Sequence, residues 1–127
     1  MGVFAGLLIG IAGLVYLRVG GLAGAVLFAF GLLCVVMCGA QLYTGKAGYL
    51  PYKQTPRLLI MLAANAVGCL LAACIARYCA NEAVMANLQT ILAARVSASW
   101  DALLVTSVGT GMIMTLAVYG ARRGHYW

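Results

Sequence analysis

Charge is what this chain has least of. Of its 127 residues two are acidic and eight are lysine or arginine, so 8% are charged. A soluble domain carries about a quarter charged residues, and a water-facing surface is not made from so few. That excludes an ordinary globular enzyme, and the high apolar content excludes a disordered tail. The net charge of +6 comes with no basic run longer than Arg122-Arg123, which argues against nucleic acid as a partner. Histidine occurs once, at His125. There is no Ser/His/Asp set, no phosphate loop and no carboxylate pair. Glu82 and Asp101 stand 19 positions apart, so acid–base catalysis is not expected and the chain does not read as an enzyme.

The five cysteines, Cys34, Cys38, Cys69, Cys74 and Cys79, are an odd set, and four of them lie inside apolar runs. Cys34 and Cys38 share a helix face, but no second ligand pair accompanies them, so neither a metal nor a cofactor is expected. A disulfide framework belongs to small secreted folds. These cysteines read as small packing residues between helices, with Cys79, near a helix end, the accessible thiol.

What the chain has is apolar length. Hydrophobic residues make up 65% and mean hydropathy is +1.04. Residues 2–17, 19–45, 58–76 and 102–121 carry no charge, and about 20 apolar residues cross a bilayer core. Arg18 follows the first run at once and no basic segment precedes it, unlike a signal peptide. The second run has 27 uncharged residues and would make a helix of about 40 Å against a core of about 30 Å. Leu42-Tyr43-Thr44-Gly45 ends its most apolar part, and Lys46, Gly48 and Pro51 then disfavour a buried helix. The chain is expected to unwind around Thr44 at membrane depth. Irregular backbone there is tolerated where it is buried in protein or lines a wet cavity, and broken membrane helices are where transporters place their sites. Val84, Leu88, Ile91 and Leu92 recur at helical spacing and predict an interfacial helix. The expected organisation is one partial transmembrane domain, 1–127, with crossings at 2–18, 20–44, 57–79 and 99–121 and an interfacial helix at 82–96.

Lys46, Lys53, Arg57, Arg122 and Arg123 fall on one side of these crossings. Arg18, Arg77 and Arg95 fall on the other, with both acids. The positive-inside rule then places the N-terminus in the cytoplasm. Glycines at Gly2, Gly6, Gly10 and Gly13, and at Gly20, Gly24, Gly31 and Gly39, predict closely packed helices. The stretch from Gly6 to Tyr16 echoes that from Gly109 to Tyr119, in crossings that run in opposite directions, as in an inverted repeat.

Gly31-Leu-Leu-Cys-Val-Val-Met-Cys-Gly-Ala-Gln-Leu-Tyr-Thr-Gly45 resembles the second transmembrane helix of the formate/nitrite transporter family. Asn65-Ala-Val-Gly68 is similar to that family's third helix. Arg95, Trp100-Asp-Ala-Leu-Leu104 and Leu116-Ala-Val-Tyr119 resemble the start and course of its fourth. The resemblance implies an all-α membrane protein with an aquaporin-like inverted-repeat helical bundle and a broken second helix. Of the family's six crossings about four are present here. It further implies a homopentamer in a bacterial inner membrane, passing small monovalent anions of the formate, nitrite or hydrosulfide type. Phe28 and Leu32 fall at the family's outer apolar constriction. Leu42, Tyr43 and Thr44 fall on its intramembrane loop, and Met114 falls near the inner constriction. Arg95 takes the place of a vestibule lysine, and Gly111 stands where many members have asparagine. The family's central histidine belongs to a crossing this chain does not supply, and His125 is not its equivalent.

The physics behind such a path is simple. A bare anion in hydrocarbon is costly and tends to take a proton. Arg95 raises the local anion concentration. Phe28 and Leu32 form a dry gate that a neutral weak acid passes, and Thr44 offers a hydroxyl beyond it. The alternative is a self-sufficient four-helix membrane protein, either a dimeric ion channel or an accessory subunit that transports nothing.

Overall fold

Lipid offers no hydrogen-bond partners to the backbone, so apolar runs of this length become helices. The computed structural model describes residues 1–48, 51–79 and 81–123. The readings of His125 and of the Cys79 thiol lie outside what it describes. Among the described residues six α-helices follow one another: α1 (Gly2–Val19), α2 (Gly21–Met37), α3 (Tyr43–Lys46), α4 (Thr55–Cys79), α5 (Glu82–Ser97) and α6 (Trp100–Arg123), with a 3-10 turn at Tyr52–Gln54 before α4. No strand occurs among the described residues.

Three of these helices, Gly2–Val19, Thr55–Tyr78 and Trp100–Ala121, are long and apolar enough to cross a membrane. Their outward faces are apolar too. Ile60 is 70% exposed and Ile113 is 69% exposed, a surface that suits lipid and not water. The architecture is that of an all-helical membrane protein.

Helix α1 is the centre of the packing, antiparallel to α2 and parallel to α4. Its small residues set the approach. A Cβ at Gly6 would collide with the backbone of Asn65, and one at Gly68 with the backbone of Val3 and Leu7. Against α2, Gly31 rests on Ala12 and Gly24 on Tyr16. The buried core is small: Ala5, Val35, Ala40 and Leu42, with Leu8, Ile9 and Leu32 packed around it.

A helix, α5, stands where the sequence predicted one. Asn81 caps α5, its side chain accepting from the Val84 amide at 3.3 Å. Asn87 on α5 donates to the Leu17 carbonyl at 2.7 Å, satisfying one of the acceptors that the end of α1 leaves open. The other end of the bundle holds α3 and the start of α4, with the end of α6 beside them. Val118 sits over Gly45 and Thr115 over Gly48, so α6 runs opposite to α1.

The second crossing differs from the expectation. Helix α2 does not continue to Thr44; it stops at Met37. Gly39 has φ +63°, its amide bonds to the Val36 carbonyl at 3.1 Å, and the Ala40 amide bonds to the Val35 carbonyl at 3.0 Å. This pair of bonds with a left-handed glycine is a Schellman ending, and Val35 and Ala40 supply its apolar contact in the core. Gly39 therefore ends a helix, and the packing role assigned to it from spacing is corrected. Thr44 does not lie on unwound backbone either. It sits in the short helix α3, just past the break at 38–42.

Candidate functional site

The break leaves backbone groups outside a helix ladder, and these need partners. Asn65 is ten residues into α4, about 15 Å from its first turn, and Thr115 is about 22 Å from the start of α6 at 1.5 Å per residue. The contact of Asn65 with Gly2 puts the break at the level where α1 begins.

One side chain closes the account of its hydrogen bonds. Asn65 is buried at 8% exposure. Its Oδ1 accepts from the Tyr43 amide at 2.7 Å, an open donor at the first position of α3. Its Nδ2 donates to the Gln41 carbonyl at 2.9 Å and to the Gly2 carbonyl at 2.8 Å. Leu42, at the N-cap of α3, makes no side-chain cap bond, so the amide from α4 does this work across 22 positions. Gly6 makes the arrangement possible by letting α1 come up against the Asn65 backbone. The α1–α4 contact and the broken segment are thus one unit.

Beside the break a cleft of about 520 Å³ opens between α3 and α6, with Tyr43, Thr44, Gly48, Gly111, Thr115 and Leu116 in its wall. The Thr115 hydroxyl donates to the Thr44 carbonyl at 3.3 Å, tying α6 to α3. The wall is otherwise apolar, so three hydroxyl-bearing residues, Tyr43, Thr44 and Thr115, supply its polar side chains.

The expected path residues divide accordingly. Tyr43, Thr44 and Gly111 come together in this cleft. Leu42 is buried in the core and Leu32 packs against it. Phe28 is half-buried on α2, and Met114 is half-buried on α6 outside the cleft wall. Arg95 is exposed in the last turn of α5, near the start of α6 and far from the break. Asn65 and Thr115 were not singled out for these roles. The signal for Asn65 was present: it is the one amide in the uncharged run from Leu58 to Ala76, and a polar side chain at membrane depth needs a partner.

Among the described residues no three of His, Cys, Asp or Glu gather in a way that holds a metal ion. Cys34, Cys38, Cys69 and Cys74 are free thiols, and the Cys69 thiol donates to the Gly6 carbonyl at 3.4 Å. Comparison with known protein families, curated proteins and solved structures finds no match to this chain.

Proposed function

We propose that this chain is a subunit of a membrane channel or transporter that passes small monovalent anions of the formate, nitrite or hydrosulfide type. The observation that carries the proposal is the break between Met37 and Tyr43, held by Asn65 of the α4 span and bordered by the Thr44–Thr115 cleft. Irregular backbone inside the bilayer is costly unless protein or a wet cavity satisfies it, and here Asn65 satisfies part of it and a cleft adjoins it. The resemblance to the formate/nitrite transporter family points to the same segment, and adds the aquaporin-like inverted repeat as the fold.

In this reading Arg95 gathers anions at the outer face and Phe28 and Leu32 disfavour the charged form. Thr44 and Thr115 meet the solute at the break. The cleft has walls from α3 and α6 only, and the α6 span is 6% buried within the chain. A closed route therefore takes further walls from neighbouring copies, in line with the homopentamer that the resemblance implies. The cationic end at Lys46, Lys53 and Arg57 faces the cytoplasm of a bacterial inner membrane.

The test is reconstitution of the chain in liposomes. Formate efflux is expected above that of empty vesicles, with the excess growing as pH falls, because the neutral acid passes the dry gate. No excess at any pH would overturn the proposal. A dimer with anion flux of its own, insensitive to Thr44, would favour the self-sufficient four-helix reading.

A further inference from the structure

Another cavity, of about 830 Å³, lies between the later halves of α1 and α4, with α5 as its third wall. Small residues make the space. A Cβ at Gly13 would meet nothing within 4 Å, and Ala72, Ala73 and Ala76 line the α4 side. Leu14 and Leu17 of α1 and Leu88 and Ile91 of α5 add an apolar surface. Helix α5 is held against the end of α1 by the 2.7 Å bond from Asn87 to the Leu17 carbonyl. Among the described lining residues Arg77 alone is charged. It stands exposed in the last turn of α4. Glu82 opens α5 but is not part of the lining. The cavity is apolar along its length and cationic at one end.

Shape and surroundings together select the occupant. From Cys69, at the inner limit of the α4 wall, to Arg77 is about 12 Å along the helix. One leaflet is about half of a 30 Å core, so the cavity has roughly the depth of a single leaflet. Arg77 lies one residue from the end of the apolar span Thr55–Tyr78, the level of lipid headgroups. Ala73 and Met85 line the cavity and are exposed, so it opens sideways toward acyl chains. An apolar gap forfeits the dispersion contacts of its walls, and a hydrocarbon chain restores them. A phosphate on the same molecule meets the guanidinium of Arg77, whose planar fork matches phosphate oxygens. We infer that this cavity holds one acyl chain of an anionic phospholipid, with the lipid phosphate paired to Arg77. Neither Arg77 nor the cavity enters the permeation reading, and flux measurements do not bear on it.

The experiment uses the whole chain in phosphatidylcholine nanodiscs doped with phosphatidylglycerol that carries a diazirine on one acyl chain. Light fixes the chain to the residues it touches, and peptide mapping locates the adducts. They are expected on residues 10–17, 69–77 and 84–91, and excess unlabelled phosphatidylglycerol should remove them. R77Q should lower this labelling about fivefold, the usual strength of one basic residue near an anionic membrane surface. R77K should keep most of it, which separates lost charge from lost folding. K53Q, before the first turn of α4 and at the opposite end of the bundle, should keep all of it. G13L fills the gap while leaving Arg77 in place, and should remove the adducts inside the cavity. Adducts spread evenly over the exposed faces of α2 and α6 would overturn the proposal, as would wild-type labelling in R77Q, and neither result depends on G13L folding. A diazirine-bearing fatty acid that labels the same residues and is not displaced by phosphatidylglycerol would make the occupant a free carboxylate, and would also overturn it.

Discussion

Replacing Asn65 by alanine removes three hydrogen bonds at once, to the Tyr43 amide, the Gln41 carbonyl and the Gly2 carbonyl. Tyr43 and Gly2 are the first residues of helices, and Gln41 lies in the irregular backbone between α2 and α3. Each such bond contributes about 1 kcal/mol net in proteins, and somewhat less on average between membrane helices. The expected loss is therefore about 3 kcal/mol, and more if the abandoned groups stay dry. Asn65→Asp separates donor from acceptor. Its carboxylate still accepts from Tyr43 but places oxygen against the two carbonyls that Asn65 Nδ2 now meets at 2.8 and 2.9 Å. It should destabilise at least as much as Asn65→Ala. Two readouts are required: equilibrium unfolding in detergent micelles, and hydrogen exchange at the Tyr43 amide, which should change from slow to fast in Asn65→Ala. Stability within about 0.5 kcal/mol of wild type, the range of ordinary surface changes, together with an unchanged Tyr43 amide, would refute the argument.

Other substitutions probe the same construction. Gly39→Ala meets no neighbour but must hold φ +63°, so it should cost about 1–2 kcal/mol, seen as a lower melting temperature in micelles. Gly6→Ala and Gly68→Ala each drive a methyl into facing backbone and should cost about 1–3 kcal/mol. Gly13→Ala and Gly109→Ala face open space and should be neutral or stabilise by up to about 1 kcal/mol in the same unfolding assay. Asn87→Ala frees the Leu17 carbonyl and should cost about 0.5–1 kcal/mol, because the bond is exposed. Thr115→Val keeps the shape and removes the bond to the Thr44 carbonyl. Formate flux in liposomes should fall while unfolding shifts by about 1 kcal/mol or less.

Much of the fold was legible because membrane helices announce themselves by length. Runs bounded at 2–18, 57–79 and 99–121 correspond to the helices Gly2–Val19, Thr55–Cys79 and Trp100–Arg123, and the periodic stretch 82–96 to the helix Glu82–Ser97. The break was legible as an event but misplaced. Lys46, Gly48 and Pro51 are conspicuous breakers, whereas Gly39 lies in an apolar run eight residues after Gly31 and looks like part of a packing stripe. Only its positive φ tells the two uses of glycine apart. The cleft was legible through Tyr43 and Thr44, which are near neighbours in sequence. Thr115 was not, because its link to Thr44 spans 71 positions and depends on the direction in which α6 returns. The role of Asn65 depends likewise on how closely α1 approaches α4.

The central claim is that water reaches the break from the Thr44–Thr115 side. Single cysteines placed at Thr44 and Thr115, in a background without the native cysteines, can be compared with cysteines at Phe30 and Ile113, which face outward at 60% and 69% exposure. A membrane-impermeant thiol reagent attacks the thiolate, which forms only where water is present. Positions 44 and 115 should react within about tenfold of a cysteine placed at the exposed Lys53, while positions 30 and 113 in lipid stay unmodified. Equal inertness at all four buried-depth positions would mean that the break is dry, and the permeation account would be wrong.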